Sequence, residues 1–249
     1  MVINPEQWFL IFSAFFAIVF ISNMIQGITG FAGAVIAMPF AVLLIGLETS
    51  KQVINVLGIL ASIWIVMKSY RHIIWNEFFK ILITMLIGLI AGLLLYHVLP
   101  FKWLLIILPF FIMFVGFRGL YLQKKGGGSE KDIGKWSANI LLLLAGVVHG
   151  LFVTGGPLLV IYATKRLKNK EEFRATLSMI WIVLNSIIAA ESVWKGDFTP
   201  QFNHFLLLSI LPLVIGTVIG SIFHKKMSQH LFMTISYTLL IISGASLLV

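Results

Sequence analysis

The sequence predicts an all-α polytopic membrane protein. It is read as two inverted-topology repeats of about five helical segments each, with Gly-rich helix breaks or re-entrant hairpins near the midplane. Three observations predict this. First, 59% of the 249 residues are hydrophobic and only 11% charged, with a mean hydropathy of +1.03. A soluble domain carries about 25% charged residues, so this chain cannot solvate its own surface and lipid must be its solvent. Second, glycine patterns recur in order along the two halves. Third, Lys and Arg gather on alternate loops.

About 20 apolar residues cross the hydrocarbon core, and apolar segments separated by polar or turn-rich breaks give the elements. The first half reads as Trp8–Ile28, Phe31–Gly46, Gln52–Met67, Phe78–Val98 and Trp103–Leu122. The second reads as Trp136–Val153, Pro157–Thr164, Phe173–Val193, Phe202–Phe223 and Leu231–Leu248. Between them, residues 123–135 include Lys124, Lys125, Gly126, Gly127, Gly128 and Ser129, the composition of a solvated linker. The organisation is therefore a first repeat over 1–122, a cytoplasmic linker and a second repeat over 136–249. Trp8–Ile28 is expected to be a retained helix, since no Lys or Arg precedes Lys51 and the basic start of a signal peptide is missing. Trp8, Trp75, Trp103, Trp136 and Trp194 fall near segment ends, where Trp anchors helices at the membrane interface.

Duplication rests on two ordered matches. Gly88, Gly92 and Gly116 are followed, each 128 positions later, by Gly216, Gly220 and Gly244. Gln26-Gly27 and Gly33 are followed, 123 positions later, by His149-Gly150 and Gly156. Inversion follows from charge. With the linker on the cytoplasmic side, all but three of the 18 Lys and Arg also lie inside, the exceptions being Lys51, Lys102 and Lys195. This is the positive-inside asymmetry. It places both termini outside and the two halves in opposite senses, an architecture common among secondary transporters, whose sites lie where the repeats meet.

The candidate chemistry sits at the two glycine-rich breaks. One runs Asn23-Met24-Ile25-Gln26-Gly27-Ile28-Thr29-Gly30-Phe31-Ala32-Gly33; the other runs His149-Gly150-Leu151-Phe152-Val153-Thr154-Gly155-Gly156-Pro157. The segment after the second break has about eight apolar residues, roughly 12 Å of helix, too short for the ~30 Å core. Its start is therefore expected inside the membrane. Non-helical backbone is tolerated there only in protein or around a wet cavity. A helix beginning at such a point offers unpaired N–H donors and a partial positive charge, which suits an anion without a buried Lys or Arg. Thr29, Thr154, Gln26 and His149 add side-chain donors. Asn55, Asn185 and Trp181, within neighbouring segments, are further candidates to line the site. His149 is the His placed deep in a segment and is the proton-coupling candidate, against the alternative of a neutral ring satisfied by a carbonyl. The glycines at 88, 92, 116, 216, 220 and 244 are read instead as close helix packing.

No carboxylate falls in the middle of a segment, and no Walker loop, metal-ligand pair or nucleophile–base set is present. Enzymatic chemistry, a cofactor, a metal and a nucleic-acid partner are not expected. There are no cysteines.

The stretches Gly27-Ile-Thr-Gly30-Phe31-Ala-Gly33 with Pro39, Gly150-Leu-Phe152-Val-Thr-Gly155-Gly156, and Arg71-His-Ile-Ile-Trp75 resemble the TauE/SafE sulfite exporter (TSUP) family of membrane transporters. The resemblance implies transport of a small sulfur-containing anion (sulfite, thiosulfate or an organosulfonate) across the cell inner membrane. By position it implies that Gln26, Gly27, Thr29, Gly30, Phe31 and Gly33 line one side of the site. His149, Gly150, Phe152, Thr154, Gly155 and Gly156 line the other. The expected activity is secondary transport by alternating access. A passive anion channel and a non-transporting membrane scaffold stay open as alternatives. So do proton or cation coupling and a homo-oligomer.

Overall fold

A computed structural model describes residues 5–95, 102–125 and 134–246. Among them the chain forms ten α-helices and one 3-10 turn at Tyr70–His72. The first five helices are α1 (Pro5–Thr29), α2 (Gly33–Ile45), α3 (Leu47–Ser69), α4 (Trp75–Leu95) and α5 (Lys102–Lys124). The second five are α6 (Lys135–Phe152), α7 (Gly156–Arg166), α8 (Lys170–Lys195), α9 (Pro200–Lys226) and α10 (Gln229–Ser246). Among the described residues six helices are long and apolar enough to cross a membrane: α1, α3, α4, α6, α8 and α9. Most of the linker and the turn between α4 and α5 lie outside the described residues, as do the side chains of Trp8 and Trp103.

The helix ends follow local chemistry. Asn169 caps α8 by accepting from the Glu171 N–H at 2.9 Å, and Thr199 caps α9 by accepting from Phe202 N–H at 3.2 Å. Gly196, at φ 71°, closes α8 in the left-handed conformation that glycine adopts without steric penalty. The 13 residues of α2 and 11 of α7 make rods of roughly 20 and 16 Å, too short to span. Within α10, Thr234, Ser236, Thr238 and Ser243 punctuate the apolar sequence. The hydroxyls of Thr234, Ser236 and Thr238 donate to the carbonyl one turn back, which lowers the cost of holding them away from water. Leu43, Leu94, Phe114, Leu207 and their like stay exposed on the outer faces, as lipid permits.

Four helix pairs build the body: α1 with α9, α4 with α6, α3 with α8 and α5 with α10. The first two are parallel pairs zipped by glycine. On α9, Gly216 meets the carbonyl of Phe20 and Gly220 that of Met24; on α4, Gly88 meets Leu143 and Gly92 meets Val147. A side chain at any of these would strike a backbone carbonyl, so the close approach depends on the missing Cβ. The other two pairs are antiparallel. Asn55 Nδ2 donates to Asn185 O (3.0 Å) midway along α3 and α8, and the Ile74 N–H, just past α3, donates to Thr176 Oγ1 (3.1 Å) near the start of α8. Gln123 Nε2 at the end of α5 donates to His230 O at the start of α10 (2.7 Å), while Gly244 meets the Pro109 carbonyl at the opposite end.

Two sequence expectations are corrected here. Arg174, counted among the Lys and Arg on the cytoplasmic side, lies inside α8 with only 4% of its surface exposed. His149 is not alone as a buried histidine: His224, at the end of α9, is also 2% exposed, and its Nδ1 donates to the Ile28 carbonyl at 2.8 Å. Both sit beside the end of α1, so the first break does have a buried cation next to it.

Candidate solute-binding site

Each break has a physical cause. α1 ends where Gly30 adopts φ 80°, a left-handed conformation open to glycine, and Gly30 N–H still bonds Gln26 O (2.7 Å). Thr29 Oγ1 donates to Ile25 O at 2.8 Å and lies 3.4 Å from the N–H groups of Phe31 and Ala32. Gln26 Oε1 reaches forward and accepts from Gly33 N–H at 2.9 Å, capping α2. α6 ends at Val153, whose φ of 58° is left-handed in a β-branched residue, and α7 restarts at Gly156 with Pro157 in its first turn.

The two breaks meet. A cavity of about 20 Å³ is lined from the first half by Gln26, Phe31, Val35 and Gly58 and from the second by His149, Gly156, Trp181 and Asn185. Ala34 and Val35 on α2 and Gly156 on α7 are all first-turn residues, whose N–H groups have no intrahelical acceptor. A Cβ built on Gly156 would lie 3.2 Å from the Phe31 carbonyl, so the halves touch across this point. His149 Nε2 lies 2.9 Å from Asn185 Oδ1, and because that oxygen only accepts, Nε2 carries the proton. His149 Nδ1, Trp181 Nε1, Asn55 Oδ1 and Thr154 Oγ1 are buried without a hydrogen-bond partner. The His149 and Trp181 rings stand 5.0 Å apart. A second cavity of about 20 Å³ adjoins, sharing Gln26, Ala34 and Gly58 and adding Asn23, whose Nδ2 donates to Val19 O at 2.8 Å.

Each cavity has room for about one water, less than an oxyanion of four heavy atoms needs. Larger spaces lie at the two ends of the α3–α8 pair. One of about 200 Å³ is bordered by Gln52, Gly150 and Ser192; the other, about 440 Å³, by Trp64, Ser69 and Arg174. Gln52 and Trp64 each stand six residues from Gly58, roughly 9 Å along the helix. The polar cavity thus sits midway between two vestibules.

The remaining candidates are placed differently. Gly27 and Gly150 face neighbouring helices: a Cβ on either would come within 2.6 Å of a carbonyl, that of Thr217 on α9 or Leu89 on α4. Gly30 abuts Arg174, Gly33 abuts Gln26, and Gly155 abuts Ala145 and His149. Phe152 is partly buried against the core, and Pro157 is fully packed at the start of α7. Asn55 reaches Asn185 and orders α3 on α8. Gly58 was missed in the sequence reading. Its signal was a glycine three residues after Asn55 on the same helix face, and a Cβ there would meet Asn185 Nδ2 at 3.0 Å.

The family model described as Sulfite exporter TauE/SafE matches residues 15–247. The chain is also 28% identical over 180 residues, 72% of this chain and 74% of the relative, to a Comamonas testosteroni protein described as "Probable inner membrane transporter protein TsaS". No solved structure matches. With a match that runs from α1 to the end of α10, this multi-pass membrane protein belongs to the TauE/SafE sulfite exporter family, a family of transporters and not of enzymes.

Proposed function

We propose that the protein is a secondary transporter that carries a small sulfur-containing anion (sulfite, thiosulfate or an organosulfonate) across the inner membrane by alternating access. The observation that carries this reading is the meeting of both breaks at one small polar cavity midway between two vestibules. First-turn amides of α2 and α7, Trp181 Nε1–H and the Asn185 amide supply donors for an oxyanion, and preorganised donors away from bulk water bind anions strongly. The cavity must widen to admit the anion, so binding is tied to movement of one half against the other.

The repeats over 1–122 and 136–249, joined by 123–135, are inverted in this account, with both termini outside. Two features support it. Exchanging the first five helices for the last five maps α1·α9 onto α4·α6 and returns α3·α8 and α5·α10 to themselves. The self-mapped pairs run antiparallel, as an axis lying in the membrane requires; an axis along the normal would leave them parallel. His149 Nδ1 is free to take a proton, which would turn the ring into a double donor and couple proton to anion. The name of the Comamonas relative speaks of transport, and the family's description supplies the sulfur oxyanion.

A screen of sulfite, thiosulfate, sulfate, sulfoacetate and taurine binding to purified protein, followed by counterflow in proteoliposomes, tests the reading. Saturable uptake stimulated by solute on the opposite side is expected. Flux without such stimulation would mean a channel, and neither binding nor flux would mean that the protein does not transport these anions.

A further inference from the structure

We propose that the vestibule at the C-terminal end of α3 is a second oxyanion site, built on the Arg174 guanidinium and separate from the cavity between the breaks. Arg174 is 96% buried, given its 4% exposure, yet it lines this space of about 440 Å³. Its Nη2 donates to Ser221 Oγ at 2.6 Å, and its Nε has no partner. Among the described residues no carboxylate lies within ion-pair distance of it. A guanidinium stays charged, and a buried charge without a counter-ion is costly. An anion bound against the open Nε edge relieves that cost and matches the planar fork of donors.

The surroundings agree in sign. Lys68 and Lys225 also border the vestibule. The one acid in the lining, Glu171, is engaged 3.4 Å from Lys170 Nζ and lies 3.9 Å from His224 Nε2. The arginine is held in place as well as buried. Its backbone and Cγ press on Gly30, where a Cβ would lie 2.9 Å from Arg174 O and 3.1 Å from Cγ. The ligand class is a compact oxyanion, a sulfonate-, sulfate- or phosphate-type group. Two sources share that chemistry: a free anion from the aqueous side, or the phosphate of an anionic lipid whose chains run along the partly exposed Trp64 and Ile222.

The test uses the full chain, lipid-depleted in detergent and also in nanodiscs. Sulfate and thiosulfate binding is followed by calorimetry, and retained phosphatidylglycerol by native mass spectrometry. Arg174→Gln is expected to weaken soluble-anion binding about tenfold or more, which identifies the free anion. Alternatively it strips phosphatidylglycerol while soluble-anion binding is unchanged, which identifies the lipid. A monodisperse Arg174→Gln protein that binds sulfate, thiosulfate and phosphatidylglycerol as the parent does would overturn the site. If that variant does not fold, the Lys68→Gln/Lys225→Gln pair is read instead, with a loss of about threefold or more expected and parental binding again overturning it. Trp181→Phe, in the central cavity, lowers transport and weakens the central component of anion binding, whereas the component lost in Arg174→Gln persists, so the two sites fail separately.

Discussion

Trp181→Phe separates binding from stability. Its indole N–H is buried without a partner in the unliganded protein, and a buried unsatisfied donor costs about 1–3 kcal/mol. The substitution removes that penalty while giving up part of the packing of the larger indole, a loss of about the same size. Unliganded stability should therefore change by no more than about 2 kcal/mol. With the anion bound the balance differs, because a hydrogen bond to a charged group contributes about 1.5–3 kcal/mol. Its loss weakens binding roughly 10- to 150-fold. Calorimetric titration with the best anion from the binding screen gives the affinity, and thermal unfolding in detergent without anion gives the stability. Unchanged affinity together with a large drop in melting temperature would refute the assignment, since it would make Trp181 a packing residue only.

Gly156→Leu should abolish counterflow while membrane insertion and monodispersity persist, because the added carbons must occupy a space of about 20 Å³ beside Phe31 and Val35; normal flux would count against the breaks. Gly220→Leu is the contrasting case. It forces α9 off the Met24 carbonyl of α1 and should lower folded yield and thermal stability with no selective effect on affinity, checked by fluorescence-detected gel filtration. Gly30→Ala should destabilise by about 1–2 kcal/mol or more from its left-handed backbone alone, since its φ is 80° and its Cβ would press on Arg174. Finally, His149→Ala should flatten the pH dependence of flux in proteoliposomes, and an unchanged profile would remove the proton role.

Much of the architecture is visible in the residues because lipid imposes simple rules. Each long span announces itself by length and composition, and α7 stands out as a run too short to cross. The pairing of Gln26 with His149, visible as a repeat of polar-glycine spacing, corresponds to two side chains lining one cavity. What sequence could not supply is which way a helix faces. In a soluble helix one stripe is apolar and the other polar; here both faces are apolar, so nothing in the order of residues told Gly27 and Gly150, which pack on α9 and α4, from Gly156, which borders the cavity. Arg174 was hidden for a related reason. A cation near a segment end reads as a loop residue or one that reaches for water, and only the fold of α8 against Gly30 and Ser221 shows it turned inward. Gly58 was passed over because one glycine in a long span looks like packing until Asn185 is seen opposite it.

The absence of cysteine allows a direct test of alternating access to the cavity between the breaks. Val35→Cys places a thiol in its wall, and a membrane-impermeant maleimide is added to one side of proteoliposomes at a time, with and without an organosulfonate that binds. The account predicts slow labelling from either side, slowed further by bound anion. Labelling from one side only, or fast labelling from both that the anion leaves unchanged, would contradict it.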